Sequence, residues 1–255
     1  MGGTMVKALA SSGLVKSEDI YVYDRDSEKL QLLKSEKGIT PCKSNIEVAQ
    51  NSDVIFVAVK PNMVQTVINE IKDQLEGKIL VSIAAGVSVS TYTEILGNKT
   101  YIVRTMPNLP ALVGEGMSVI FYHSLENINE RNFVKSIFES FGKVEILDSE
   151  KMVDEVIALT SSSPAYVCLF IEAMADGAVR AGIPRAQAYR MAEQTVLGTA
   201  KMLLETGIHP AVLKDQVCSP AGTTIEAIAS LEKSGFRDSV ICAMESCAKK
   251  ARGEK

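Results

Sequence analysis

The stretch that decides the fold is residues 53–61, Asp-Val-Ile-Phe-Val-Ala-Val-Lys-Pro. Its central apolar run is typical of a strand that is buried on both faces. Similar short apolar runs occur at residues 20–23, 78–83 and 100–104, and segments with helical periodicity, such as residues 63–75, lie between them. Strand–helix units repeated at this spacing predict a parallel sheet with helices on both faces.

The pattern changes after the middle of the chain. Two more strands are predicted at residues 117–121 and 144–147, and from residue 151 onward only helical periodicity remains. We therefore predict an α/β parallel-sheet domain over residues 1–149, followed by an all-α domain over residues 150–255.

One helix of the second half is apolar around much of its circumference. It spans residues 165–181, and its apolar side chains include Val167, Leu169, Phe170, Ile171 and Met174. Such a surface on a monomer would be exposed to water, so we predict a subunit interface. The alternative is that neighbouring helices of the same chain cover it.

Composition excludes several classes of protein. Of the 255 residues, 46% are hydrophobic and 23% are charged, which is enough apolar material for a large core. The net charge of −4 means that the chain lacks the excess of basic residues that is typical of proteins that bind nucleic acid. Five cysteines without a C-x-x-C pair, together with two histidines, predict no metal site and favour a reducing cytoplasm. No apolar run reaches the length of a membrane span, so we expect no membrane partner.

The loops that follow the predicted strands form the candidate site, because ligands of parallel sheets bind at the carboxyl ends of the strands. Asp24 at such an end can accept hydrogen bonds from ribose hydroxyls, which favours NAD. Arg25 can instead pair with a 2′-phosphate, which favours NADP. A solvated turn is the alternative for this pair. Pro61 fixes the backbone after the strand, and Lys60 is either a phosphate contact or a solvated side chain.

The beginning of the sequence departs from the usual pattern of such sheets. Residues 2–10 already have helical periodicity, and Gly2 corresponds to the last glycine of a G-x-G-x-x-G turn. The strand that would precede this turn is normally the central one. We expect its neighbours to have unpaired edges, and only the helix N-terminus to remain for phosphate binding.

A run of small residues in the second half is a candidate anion site. Residues 219–224, Ser-Pro-Ala-Gly-Thr-Thr, lie between two predicted helices and lead into an apolar one. Exposed N–H groups at a helix start bind carboxylates, and threonine hydroxyls add directed hydrogen bonds. A simple N-cap is the alternative.

Four blocks in the same order resemble the pyrroline-5-carboxylate reductase family: residues 58–61, 104–108, 163–166 and 209–225. The resemblance implies an N-terminal Rossmann domain and a C-terminal helical dimerisation domain, in dimers that form decamers. It also implies an oxidoreductase of proline biosynthesis. Such an enzyme transfers hydride from NADPH, or alternatively NADH, to the C5=N bond of 1-pyrroline-5-carboxylate, which gives L-proline.

The resemblance also implies roles for individual residues. The substrate-binding block contains Ser219, Gly222, Thr223 and Thr224. The backbone at Gly222, Thr223 and Thr224 would hold the carboxylate, and the Thr224 hydroxyl would hydrogen-bond the ring nitrogen. The residues implied in cofactor binding are Gly2, Asp24, Arg25, Val59, Lys60, Pro61, Met106, Pro107 and Asn108.

The sequence departs from the family pattern at several positions. Ser161 and Ser163 stand where the family has glycine, and Leu109 stands where it has threonine. The first strand and most of the glycine-rich turn are not part of this sequence. The alternatives are another imine or β-hydroxyacid reductase, or a non-catalytic paralogue that retains the dimer.

Overall fold

The computed structural model describes residues 1–254, which form two compact units. Unit 1 contains Met1–Ser161 and the chain from Cys247 onward, and unit 2 is Ser162–Ser246. The predicted boundary at residues 149 and 150 coincides with the start of helix Glu150–Glu155, whereas the compact units divide after Ser161.

Unit 1 contains two sheets. The small sheet pairs β1 (Tyr21–Val22) with β2 (Thr40–Pro41) in parallel. The large sheet has the strand order β3-β4-β5-β6-β7. Its strands are β3 (Val54–Val57), β4 (Ile79–Ser82), β5 (Tyr101–Met106), β6 (Gly116–His123) and β7 (Gly142–Ile146).

The large sheet is mostly parallel, as predicted, and departs from the prediction at one ladder. β6 runs antiparallel to β5, whereas the other three ladders are parallel. The reason is the connection between them, since β5 and β6 are joined by a short 3₁₀ helix, Leu109–Val113. A parallel pairing would need a longer crossover.

Within residues 1–254, seven α-helices lie wholly in unit 1, and helices cover both faces of the large sheet. On one face, α4 packs its buried Ile68 and Ile71 against β3 and β4. On the other face lie Met5 of α1, Phe138 of α6 and Phe141 in the turn after α6. The helices are α1 (Gly2–Ser12), α2 (Ser27–Lys37), α3 (Asn45–Asn51), α4 (Val64–Ile71), α5 (Val89–Leu96), α6 (Ile128–Glu139) and α7 (Glu150–Glu155).

Unit 2 is entirely helical, as predicted. Its helices are α8 (Ser163–Arg180), α9 (Arg185–Thr206), α10 (Pro210–Val217), α11 (Thr223–Lys233) and α12 (Phe236–Ala251), whose last turns belong to unit 1. α8 leaves Leu169 68% exposed, and Val167 and Phe170 are exposed as well. The described helices of this chain therefore cover that face only in part, since Ile171 and Met174 are half-buried and Phe170 contacts the ring of Phe236.

One helical run is long and apolar enough to cross a membrane by length and composition alone, whereas the sequence analysis expects no such run. It extends from Glu150 to Arg180. It contains α7 and α8, and charged side chains such as Glu172 and Asp176 interrupt its apolar surface. The run is weak evidence for a membrane, because interface and core helices of other proteins have the same composition.

Candidate active site

The first turn of α1 lies against the carboxyl end of β3. A Cβ atom added to Gly2 would lie 3.0 Å from the Cβ of Ala58, the residue directly after β3, so glycine permits this close approach. The first turn of α1 has no acidic residue, and no side chain caps its N–H groups. Such a helix start attracts an anion, and the residues present fit a dinucleotide phosphate.

The turn after β1 carries Asp24 and Arg25, both exposed. One carboxylate oxygen of Asp24 accepts a hydrogen bond from the Asp26 N–H at 2.9 Å, which orders the turn. Asp26 in turn caps α2 by accepting from the N–H of Lys29. Hydrogen bonds from Lys29 lower the pKa of the Asp26 carboxyl, and the same contact raises the pKa of Lys29. The turn therefore presents a carboxylate that can accept hydrogen bonds from hydroxyl groups, together with a guanidinium.

Five of the predicted cofactor residues line one cavity of about 1240 Å³ in unit 1. They are Gly2, Asp24, Arg25, Val59 and Lys60. Pro61 follows directly as the first residue of a 3₁₀ helix, and the Lys60 carbonyl accepts from the Met63 N–H at 2.8 Å. The structure thus brings the loops after β1 and β3 together with the start of α1.

The other three predicted cofactor residues lie at the end of β5 and in the loop after it, and all of them are buried. The Asn108 side chain donates to the Thr160 carbonyl at 2.9 Å and accepts from the Met117 N–H at 2.9 Å. Its amide therefore joins the loop to β6 and to the π-helix Ile157–Ser161. The predicted contacts of Met106, Pro107 and Asn108 with the cofactor stay predictions.

Arg104 on β5 has a structural role that the sequence analysis did not assign. It is 2% exposed, and its guanidinium contacts Glu150 at 2.7 Å and Asp154 at 2.9 Å. Glu150 also accepts from the Val89 N–H at the start of α5, at 2.6 Å. Because a buried guanidinium requires carboxylate partners, an arginine within an apolar strand was the signal that could have revealed this contact. The ion pairs hold α7 on the sheet beside the loop after β5.

In unit 2, the predicted substrate block is a tight turn that leads into α11. The Gly222 N–H donates to the Ser219 carbonyl at 3.0 Å, and Ala221 adopts a left-handed backbone with φ 56°. No side chain caps the first N–H groups of α11, which begins at Thr223. This helix start can bind a carboxylate, and the half-buried Thr224 lies in its first turn.

The serines that replace family glycines cause no backbone strain. Among residues 1–254, the only non-glycine residues with positive φ are Ser124 and Ala221. Ser161 ends the π-helix, and Ser163 begins α8. Leu109 begins the 3₁₀ helix after β5 and is exposed. The three departures are therefore compatible with the fold.

Models of two protein families match the chain in succession. Residues 1–86 match "NADP oxidoreductase coenzyme F420-dependent", and residues 150–254 match "Pyrroline-5-carboxylate reductase dimerisation". The pyrroline-5-carboxylate reductase of Escherichia coli K12 is 47% identical over 252 residues, which cover 98% of this chain and 93% of the relative. The chain belongs to the pyrroline-5-carboxylate reductase family.

Solved structures of the pyrroline-5-carboxylate reductase family agree with this fold. The enzyme of Coxiella burnetii superposes with a TM-score of 0.92 at 33% identity, over 100% of this chain and 96% of that one. The Plasmodium falciparum enzyme with NADP bound gives a TM-score of 0.88 at 32% identity, over 99% of this chain and 94% of that one. The predicted family, fold class and reductase function are confirmed, and the dimerisation model supports the predicted oligomer.

Gly222→Ala is expected to lower kcat/KM by about tenfold to a hundredfold. A Cβ at this position would overlap the Ser219 Oγ and lie 3.0 Å from the Ser219 carbonyl oxygen, so the Ser219 side chain would have to rotate and the turn would have to shift slightly. Steady-state kinetics measure the change, and thermal unfolding should be nearly unaffected. Ala221→Gly is the matched control: it relieves the left-handed backbone without adding atoms and should retain activity. Full activity of the Gly222→Ala variant would contradict a substrate role for this turn.

Proposed function

We propose that this chain reduces 1-pyrroline-5-carboxylate to L-proline with NADPH. Membership of the family supports the reaction. The assignment of the substrate-binding residues depends on one observation, which is that no side chain caps the start of α11 after the turn at residues 219–222. The substrate is a small cyclic imine with one carboxylate. A helix start with a neighbouring threonine hydroxyl matches both of its polar groups.

Unit 1 holds the cofactor in this proposal. The N–H groups at the start of α1, beginning at Gly2, face the pyrophosphate, and Asp24 accepts from the adenosine ribose. Arg25 pairs with the 2′-phosphate that distinguishes NADPH from NADH. The remaining residues contact the nicotinamide and its ribose; they are Val59, Lys60, Pro61, Met106, Pro107 and Asn108. When bound, NADPH supplies the hydride.

Unit 2 holds the substrate in this proposal. The backbone N–H groups at Thr223 and Thr224 bind the carboxylate, and Ser219 and Gly222 shape the turn around it. The Thr224 hydroxyl hydrogen-bonds the ring nitrogen and thereby fixes which ring face is presented. Hydride adds to C5, and the C=N electron pair moves to the nitrogen.

The reaction needs no strong general acid from the protein. A protonated imine is already an electrophile, so catalysis rests mainly on the position of C5 relative to the hydride donor. Neither His123 nor His209 is assigned a part in this chemistry. Orientation by the carboxylate at α11 and by Thr224 supplies the alignment.

We further propose that the enzyme is a cytoplasmic homodimer whose dimers assemble into decamers. The exposed apolar face of α8 and the dimerisation family model over residues 150–254 support the dimer. The free cysteines are consistent with a reducing compartment.

Thr224→Ala is expected to lower kcat/KM by about tenfold to a hundredfold, because one directed hydrogen bond to the ring nitrogen is lost. NADPH oxidation at varied substrate concentration measures the effect. Thr224→Ser keeps the hydroxyl and should retain most of the activity, and both variants should unfold at the temperature of the unmodified chain. If the alanine variant were as active as the serine variant, Thr224 would have no part in the mechanism.

A further inference from the structure

The loop that joins β4 to α5 lies between the two loops to which the proposed function assigns the nicotinamide end of the cofactor. β3, β4 and β5 are adjacent parallel strands, so their carboxyl ends meet at one edge of the large sheet. The loop after β3 contains residues 59–61, and the loop after β5 contains residues 107 and 108. Residues 83–88 follow the strand between them, and their tip, Ala85 and Gly86, is exposed at the same edge.

A buried pair of hydroxyl groups ties the two ends of this loop together. Ser82 is the last residue of β4, and its Oγ lies 2.5 Å from the phenolic oxygen of Tyr92 on α5. The same Oγ accepts a hydrogen bond from the Ala84 N–H at 3.2 Å. Both side chains are buried, and burial raises the pKa of the Tyr92 phenol, so the phenol stays protonated at neutral pH. The Ser82 Oγ therefore joins the strand, the loop and the helix.

Further contacts fix the surroundings of this pair. The Thr105 hydroxyl on β5 donates to the Ser82 carbonyl at 3.3 Å. The Glu150 carboxylate accepts from the N–H of Val89, the first residue of α5, at 2.6 Å, and the same carboxylate is held by the buried Arg104. The loop is therefore anchored at the end of β4 and at the start of α5, below its exposed tip.

The hydroxyl pair contributes more to geometry than to stability. A buried hydroxyl loses its hydrogen bonds to water, and one internal hydrogen bond roughly offsets that cost. An alanine and a phenylalanine at the two positions would fill nearly the same space without any polar group. A hydrogen bond between buried groups is directional, however, whereas apolar contacts are not, so the pair fixes how α5 and the loop meet the end of the strand.

We propose that Ser82 and Tyr92 are positioning residues for the hydride transfer. Their hydrogen bond holds residues 83–88 so that the tip of the loop supports the nicotinamide ring from the side of β4. In this role neither side chain touches the substrate or the cofactor. The proposal rests on the proposed reduction with NADPH, because it concerns the alignment of the hydride donor with C5 of the imine.

Tyr92→Phe removes the phenolic oxygen and keeps the buried ring. We expect kcat to fall about tenfold to a hundredfold, because a small misplacement of the hydride donor slows the transfer. The KM for NADPH should change by less than about threefold, since the phosphates and the adenosine supply most of the binding contacts. Ser82→Ala removes the same hydrogen bond, so the double variant should be no slower than the slower single variant. Effects that multiply in the double variant would contradict a role shared by the two hydroxyls.

Tyr122→Phe is the matched control for Tyr92→Phe. The half-buried Tyr122 hydroxyl donates to the Arg131 carbonyl at 2.9 Å, so this variant also loses one hydrogen bond. Because β6 runs antiparallel to β5, Tyr122 lies near the carboxyl end of β6, toward the opposite edge of the sheet. The control should keep the kcat of the unmodified chain. Equal kcat values for the two variants would overturn the proposal.

Amide hydrogen exchange tests the positioning without turnover. NADPH should slow exchange at Ala85 and Gly86 of the unmodified chain by at least about tenfold. The probe 2′-phospho-ADP-ribose, which lacks the nicotinamide, should protect these two amides much less. Protection by NADPH should be lost in Tyr92→Phe and retained in Tyr122→Phe.

The exchange measurement separates failure of this proposal from failure of the proposed reduction. Absence of NADPH protection in the unmodified chain, or equal protection in Tyr92→Phe, would overturn the positioning role even if the chain makes proline. The expected pattern of protection in a chain that makes no proline would support the positioning of the nicotinamide and contradict the reduction.

Discussion

Replacing Arg104 by methionine is expected to lower the free energy of unfolding by about 3 kcal/mol. The guanidinium is buried and is paired with two carboxylates, at 2.7 Å from Glu150 and 2.9 Å from Asp154. Methionine preserves the buried volume, but it leaves two negative charges beside an apolar strand. Removing one member of a buried ion pair costs more than the pair contributes, because the remaining charge keeps its desolvation cost.

Urea unfolding measures this loss, and two further variants define its cause. Arg185→Met removes an arginine that pairs with Asp176 at the surface and should change stability by less than about 0.5 kcal/mol. Arg104→Met combined with Glu150→Gln and Asp154→Asn should recover part of the loss, because the unpaired charges are gone. Equal stability of Arg104→Met and the unmodified chain would show that the ion pairs do not hold α7 on the sheet.

Leu169→Glu is expected to convert the proposed dimer to single chains at micromolar concentration. Leu169 is 68% exposed on the apolar face of α8, which the dimerisation family model includes. A carboxylate buried in an apolar interface without a partner should weaken association by about a hundredfold or more. Sedimentation velocity gives the mass directly.

Ile128→Glu is the matched control for the interface variant. Ile128 is 63% exposed, but it lies on α6 in unit 1. The same apolar-to-acidic change there should leave the assembly intact. If both variants sediment like the unmodified protein, α8 does not form the subunit interface.

The apolar periodicity of the sequence was enough to predict most of the strands. Unbroken apolar runs such as the one before Lys60 have few other interpretations, and each predicted strand overlaps an observed one. The direction of β6 could not be predicted, because periodicity reports burial and not chain direction. The short strand β2 and the helix α3 were missed because neither has a long apolar repeat.

The local structure of the candidate site could be predicted where it is formed by residues that are neighbours along the chain. The turn at residues 219–222 and the start of α11 follow from adjacent residues. The role of Asn108 does not, because its partners Met117 and Thr160 are distant along the chain. The contacts of Arg104 with Glu150 and Asp154 could not be predicted for the same reason, although an arginine within an apolar strand is evident from the sequence.

The most direct test of the proposed function is to incubate the purified chain with 1-pyrroline-5-carboxylate and NADPH, and to measure both NADPH oxidation and proline. We expect proline to form in equal amount to the NADPH oxidised, and the Thr224→Ala variant to be much slower. NADPH oxidation without proline, or no reaction by a folded dimer, would contradict the assignment of this chain as a pyrroline-5-carboxylate reductase.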